Sequence, residues 1–163
     1  MSEPAWPGPV ERVAAFLRTA GAEARLEELG ADTATAEGAA EAVGGQLDQI
    51  VKSLVLLCDE EPVLVLVPGG RRCDPRKVAA FTGARRARIA RPEEVLAITG
   101  FEPGAVAPFP QPNVRRVLVD ESLLAQRLVW VGAGSSRHLA ALGPAELVRL
   151  TSGQTLDVSQ DQA

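Results

Sequence analysis

Histidine and cysteine are scarce in this sequence, and their scarcity excludes several kinds of site. His138 is the single histidine, and the two cysteines, Cys58 and Cys73, lack the CxxC spacing of zinc sites and redox motifs. Because no histidine lies near either cysteine in the sequence, we expect two free thiols, with neither a metal site nor a disulfide framework. The sequence indicates no other cofactor.

A long apolar run is also missing. No segment approaches the roughly 20 apolar residues that span a bilayer, and residues 1–12 lack the basic and then apolar order of a secretory signal. We therefore expect a soluble, cytoplasmic protein without membrane contact. Its 163 residues, 46% hydrophobic and 23% charged, suit one domain over residues 1–157, followed by a disordered polar tail over residues 158–163.

The common catalytic signatures do not occur. The sequence contains no GxSxG, HExxH, Walker A or complete GxGxxG pattern, which argues against familiar serine hydrolases, zincins, P-loop enzymes and dinucleotide-binding domains. Serine, histidine and aspartate are all present, but no spacing arranges them as a catalytic triad.

Helix and strand patterns alternate along the chain. Apolar spacing and capping residues predict helices over residues 9–20, 35–43, 74–81, 92–99, 121–126 and 144–153. Apolar, β-branched runs predict strands over residues 23–28, 50–58, 62–68, 87–90, 114–120, 127–134 and 135–142. The second and third of these strands read as a buried hairpin. This order predicts a single mixed α/β (α+β) domain.

Positive charge is concentrated in one block. Residues 71–91 carry eight basic residues against Asp74 alone, although the whole chain has a net charge of −4. Such a block can bind a polyanion, because phosphate contacts dominate nucleic-acid affinity. The other interpretation, a solvated helix face with charged strand ends, is left open by the charge alone.

Three further features could form a site. Lys52 interrupts an apolar strand, where an ammonium group needs either solvent or an anion. His138 is either a ligand-binding residue or a hydrogen-bonded structural one. The turn Gly132-Ala133-Gly134, followed by Ser135, could present backbone N–H groups to an oxygen of a ligand.

The segment GFEPGAVAPFPQP, residues 100–112, is a shaped loop. It contains four prolines and two phenylalanines with one charge among thirteen residues. Proline fixes the backbone and glycine admits conformations that other residues avoid, so neither helix nor strand is expected here. Long shaped loops in small domains are more often functional than not.

These features together resemble the YbaK/EbsC family. The resemblance is carried by TATAEGAAEAVGGQLDQIVKSLVLLC, by the run from VPGGRR to EPGAVAPF and by VWVGAGSSRHLAALGPAELVRLTSG, and it covers about residues 10 to 157. The family includes freestanding aminoacyl-tRNA deacylases and the editing domain inserted in bacterial prolyl-tRNA synthetases. It implies a largely β core of about six or seven strands surrounded by helices.

The resemblance also implies a site. In the family a G-x-x-x-P loop and a strand lysine receive the aminoacylated 3′ end of tRNA, which corresponds here to Gly104, Pro108 and Lys52, with His138 as a further catalytic candidate. The substrate-binding candidates are Thr35, Ala105, Val106, Ala107, Phe109, Gly132, Gly134 and Ser135. The tRNA-binding candidates are Arg71, Arg72, Arg85 and Arg86.

The implied activity is hydrolysis of a tRNA mischarged with a small amino acid. An aminoacyl ester is already activated, so positioning a water and polarising the ester could suffice without a protein nucleophile. The small, apolar loop favours alanine, cysteine or serine as the amino acid. Where family members often have glycine after the loop proline, this chain has Phe109 and Pro110, so the rim of the pocket can differ.

Two alternatives from other classes stay open. The chain could be a binding module that has kept the fold and lost hydrolysis, or a hydrolase of another small acyl ester. A basic block is unnecessary for a small substrate, and this favours tRNA. Selection of the tRNA could depend on this block or on a partner, either an aminoacyl-tRNA synthetase or an elongation factor.

Overall fold

A computed structural model describes residues 6–30 and 32–161. Within these ranges the helices begin where the sequence offers a proline or a capping side chain. Thr35 Oγ1 accepts a hydrogen bond from Gly38 N, and Asp74 Oδ1 accepts one from Arg76 N, each satisfying an N–H group that the helix leaves unpaired. The α-helices are α1 (Gly8–Thr19), α2 (Ala36–Val43), α3 (Pro75–Thr82), α4 (Pro92–Thr99) and α5 (Pro144–Thr151). Two short 3-10 helices cover Leu47–Gln49 and Glu121–Ala125.

The strands form two sheets. They are β1 (Ala24–Glu28), β2 (Val51–Cys58), β3 (Glu61–Pro68), β4 (Ala87–Ile89), β5 (Arg116–Asp120), β6 (Val129–Ser135), β7 (His138–Leu142) and β8 (Gln154–Leu156). The smaller sheet is antiparallel, in the order β1-β7-β6. The larger has the order β4-β2-β3-β5-β8, antiparallel among β4, β2 and β3 and parallel from β3 to β8.

The larger sheet has apolar side chains on both faces. On β2, Val51, Val55 and Leu57 belong to the main core, which also contains residues from α1, the smaller sheet and the loop over 100–112. Leu56 and Cys58 point to the other face, into a second core beneath α3. This alternation is the two-residue period of a strand, and it explains why β2 reads as a continuous apolar run.

The predicted mixed α/β fold is confirmed, with differences in detail. The hairpin of β2 and β3 is present, and the structure has eight strands in two sheets where about six or seven in one core were expected. The strand β8 was missed because it has only three residues and two of them are exposed. In the described part of the chain no helix is long and apolar enough to cross a bilayer.

The expected disorder of residues 158–163 is wrong for the part that the structure describes. Val158 is fully buried in the second core, and Ser159 is only 1% exposed. Residues 162–163 lie outside the described residues. The polar composition was misleading because backbone hydrogen bonds, which composition does not indicate, attach this segment to residues 72–74.

Candidate functional site

A cavity of about 340 Å³ opens at the free edge of β2. The edge is free because β4 pairs only with residues 56–58 of β2, so the neighbouring positions toward Val51 have no strand on that side. The cavity is lined by residues 33–37, Ala39, residues 50–54, Gly69, Gly104, Val106, Gly132 and Leu139. It therefore lies between the two sheets, with the start of α2 as one wall.

Lys52 provides the cation of this cavity. Its side chain is half-buried, and Nζ donates a hydrogen bond to the backbone oxygen of Arg71. Desolvation by burial lowers the pKa of Lys52 below its ordinary value, while the carboxylate of Glu37 acts in the opposite direction and Arg72 adds to the lowering. One of the three ammonium donors is occupied by Arg71, and two remain for a ligand.

The residues that precede α2 are held by hydrogen bonds to the turn between β6 and β7. Thr33 donates two hydrogen bonds to Ser136 O, from its N at 2.6 Å and from Oγ1 at 2.9 Å. Thr35 Oγ1 is the N-cap acceptor of α2, so this hydroxyl already has a structural partner. Glu37 lines the same wall. Glu37 was not among the candidates, because an acidic residue in the first turn of a helix is common for structural reasons alone.

The loop before β5 is held close to β6. Gly104 has φ of +84°, a conformation that favours glycine. Ala105 O accepts a hydrogen bond from Gly134 N at 3.1 Å, and a Cβ added at Gly132 would lie 2.4 Å from Val106 O. The backbone of the loop therefore packs directly on the strand, and Gly104 and Val106 both face the cavity.

Ser53 is a cavity residue that the sequence analysis did not single out. Its Oγ is buried and has no hydrogen-bond partner among the described residues. A buried hydroxyl without a partner costs about 1–3 kcal/mol, so a bound water or ligand oxygen would stabilise it. A serine within an apolar strand was the only signal in the sequence.

The second half of the predicted loop faces away from this cavity. Ala107 is fully buried in the main core. Pro108 and Phe109 border a different cavity of about 310 Å³, and the Phe109 ring stacks on Phe16 with centroids 5.1 Å apart. Of the six loop candidates, Gly104 and Val106 therefore line the cavity, whereas Pro108 and Phe109 shape the loop from its far side.

His138, Ser135 and Gly134 also lie outside the cavity lining. Ser135 Oγ is 2.5 Å from His138 Nδ1, and the ring of His138 makes an edge contact with Trp6. His138 Nε2 is 3.3 Å from Glu28 Oε2, without the geometry of a hydrogen bond. His138 and Leu139 are consecutive residues of β7, so their side chains point to opposite faces, and Leu139 is the one that lines the cavity.

The basic block is divided by the fold. Arg71 lies at the cavity end of the β2–β3 hairpin, next to exposed Arg72. Arg85 and Arg86 lie at the other end, where both backbone N–H groups donate to the carboxylate of Asp59. Because six residues of β2 separate the two ends, the distance between them is about 20 Å.

Other cations of the block are engaged by carboxylates. Lys77 pairs with Asp157 and Asp161, and Arg88 pairs with Glu60 and Glu94, all at 2.8–2.9 Å. The exposed arginines are therefore the groups available to a polyanion. Both cysteines are free and buried, and the described residues hold no cluster of three potential metal ligands.

Comparison with known proteins gives the family of this chain. The model of the aminoacyl-tRNA editing domain matches residues 30–150. The YwhH protein of Bacillus subtilis is 33% identical over 137 residues, covering 83% of this chain and 87% of that protein. EbsC of Enterococcus faecalis, named as a candidate Cys-tRNA(Pro)/Cys-tRNA(Cys) deacylase, is 26% identical over 129 residues, covering 78% of this chain and 79% of that protein.

A solved structure agrees with these sequence matches. A candidate trans-editing enzyme for prolyl-tRNA synthetase superposes with a TM-score of 0.89 at 37% identity, covering 96% of this chain and all of that one. The matched region contains Lys52, the loop with Gly104 and Val106, and Gly132, which the fold brings to one cavity. The chain belongs to the aminoacyl-tRNA editing-domain family.

Proposed function

We propose that this protein is a trans-acting aminoacyl-tRNA deacylase that hydrolyses the ester of a tRNA mischarged with a small amino acid. The observation that carries the proposal is the cavity itself. It combines one lysine with a glycine-shaped backbone wall at the free edge of a strand, in a chain of the editing-domain family. Among the described residues, no histidine or cysteine lines it.

The mechanism we propose relies on positioning. A water attacks the ester carbonyl carbon, the bond to the ribose oxygen breaks, and the proton of the water goes to that leaving oxygen. Backbone groups around Gly104 orient the carbonyl, and the two remaining donors of Lys52 hold the ribose or terminal phosphate region. Fixed dipoles in a partly dehydrated cavity are effective for this purpose because they need no reorganisation during the reaction.

The walls favour a small aminoacyl group. Ala34, Ala36 and Ala39 from the start of α2 and Val106 from the loop narrow the cavity. One methylene more or less in an apolar pocket changes binding by about 1–3 kcal/mol, so these walls discriminate mainly by size. Alanine, cysteine and serine fit this description.

The tRNA would approach over the cavity end of the β2–β3 hairpin. Arg71 and Arg72 lie there, so we propose that they contact phosphates near the acceptor end. Arg85 and Arg86 could reach only a more distant phosphate, about 20 Å away. If intrinsic contacts are too few, a synthetase or elongation factor would supply tRNA selection.

The test is hydrolysis of tRNAs charged with alanine, cysteine, serine or proline, by wild type and by Lys52→Ala. Release of one amino acid by wild type alone supports the proposal and identifies the substrate. If charged tRNA binds but no member of the panel is released, the result favours a binding module or a tRNA charged with an amino acid outside the panel. Hydrolysis of small acyl esters without any release from tRNA would make it a hydrolase of a different substrate.

A further inference from the structure

The C-terminal segment, residues 157–161, lies against the turn between β3 and α3. Asp74 N donates to Val158 O at 2.7 Å, and Gln160 N donates to Arg72 O at 2.7 Å. Cys73 and Ser159 form an isolated antiparallel bridge. The segment therefore pairs with residues 72–74 almost as an additional strand, although it lies outside both sheets.

The same segment is attached at two further points. Val158 N donates to Asp120 Oδ1 at 3.0 Å. Lys77 Nζ donates to Asp157 Oδ2 and Asp161 Oδ1 at 2.8 Å and to Ser159 O at 2.7 Å. Hydrogen bonds to these carboxylates raise the pKa of Lys77, which means that the folded protein favours its charged form.

Arg71 connects this arrangement to the cavity. Its backbone oxygen accepts the hydrogen bond of Lys52 Nζ, and its guanidinium donates to Ser159 Oγ at 3.3 Å. Arg71 N also donates to Pro68 O at 3.0 Å, so the residue lies in a tight turn. The carbonyl that orients the Lys52 ammonium thus belongs to a turn whose outer side is held by the C-terminal segment.

We propose that the C-terminal segment is a positioning element for Lys52, and that Lys77 fastens it. The segment does not touch the substrate, and its contribution is the placement of the Arg71 carbonyl. Without the segment, Arg71 can rotate away, and the half-buried ammonium loses the acceptor that fixes its direction. The catalytic part of this inference rests on the proposed deacylase function, whereas the effect on Lys52 itself does not.

The composition of the chain permits a direct test. Lys52 and Lys77 are its two lysines, so protein labelled at lysine Cε gives two side-chain lysine resonances in NMR spectra. In Lys77→Met one resonance disappears, and the resonance that remains is thereby assigned to Lys52. We expect the Lys52 resonance of this variant to move toward that of a solvent-exposed lysine, and its titration to move to higher pH.

Arg88→Met is the matched control. Arg88 belongs to the same basic block and also pairs with two carboxylates, but it lies on β4, at the opposite end of the hairpin. The Arg88→Met substitution should leave the Lys52 resonance unchanged. In deacylation assays, Lys77→Met should lower kcat roughly threefold to tenfold with little change in KM, whereas Arg88→Met should not lower kcat.

A chain ending at Asp157 provides a second test. It lacks Val158, Ser159 and Gln160 and should shift the Lys52 resonance further than Lys77→Met does. An unchanged Lys52 resonance in Lys77→Met would overturn the inference, whether or not the shortened chain folds. Because the NMR measurement uses protein without tRNA, a wild type that hydrolyses no charged tRNA would overturn the proposed function and leave this test valid.

Discussion

Substitution of Gly132 by alanine tests whether the loop and β6 together form the cavity. The added Cβ would lie 2.4 Å from Val106 O and 3.2 Å from Val106 C, both backbone atoms that cannot rotate aside. The loop must therefore move away by roughly 1 Å, since ordinary carbon contacts lie near 3.5 Å. Overpacking of this kind costs about 1–3 kcal/mol. For a chain of this length, that corresponds to a fall in Tm of roughly 2–12 °C.

Activity should fall more than stability. Gly132 and Val106 both line the cavity, so a displaced loop changes the position of the backbone groups that we propose orient the ester. We expect single-turnover deacylation at 25 °C, where the variant remains folded, to slow by roughly tenfold to a hundredfold. Gly143→Ala is the control, because a Cβ added there would meet Arg127 O at 4.0 Å, which is an ordinary contact distance. Wild-type rates in Gly132→Ala with a lowered Tm would refute the reasoning.

Three other predictions follow from charges. Lys52→Met should abolish deacylation without lowering the free energy of unfolding. Burial lowers the pKa of Lys52, so the folded state disfavours its charged form. Wild type should therefore gain stability relative to the variant as pH rises from that lowered pKa toward 10.5. Arg72→Glu should weaken tRNA binding and flatten its salt dependence more than Arg86→Glu, and equal effects in filter binding would contradict the approach proposed above. Hydrogen bonds from Arg88 lower the pKa of Glu94 from 4.5 to about 2. Glu94 therefore contributes stability that is present above pH 4.5 and is lost as pH falls toward 2. In Glu94→Gln the free energy of unfolding should vary less with pH between 4.5 and 2, and an unchanged pH profile would exclude the contribution.

The local elements of the fold could be predicted because each has a sequence cause. Thr35 and Asp74 cap α2 and α3, and Gly83 and Gly100 end α3 and α4 in left-handed conformations. The division into two sheets could not be predicted, because a two-residue period identifies a strand but does not indicate which other strand pairs with it. The pairing of β1 with β7, far apart in the sequence, is such a case.

The candidate site was predicted less completely than the fold. Lys52 stands out as a charge within an apolar strand, Gly104 was identified through the resemblance, and both line the cavity. His138 was a candidate because it is the single histidine, but strand alternation turns it toward Trp6. The block over residues 71–91 is continuous in sequence, yet the hairpin carries its two ends about 20 Å apart. Side-chain direction and end-to-end separation depend on tertiary structure, which composition does not contain.

The junction of the two sheets has a consequence for motion. Among the described residues, the strand pairing that joins the two sheets is one isolated parallel bridge beside the cavity, between Ile50, the residue before β2, and Trp130 of β6. Widening of the cavity therefore breaks none of the ladder hydrogen bonds within either sheet. Widening of this kind would leave amide hydrogen exchange unaffected in the middle of β3 and β7, because those amides belong to the ladders within the sheets. Resistance to such widening therefore comes from the side chains of the main core that the two sheets share, and not from strand pairing.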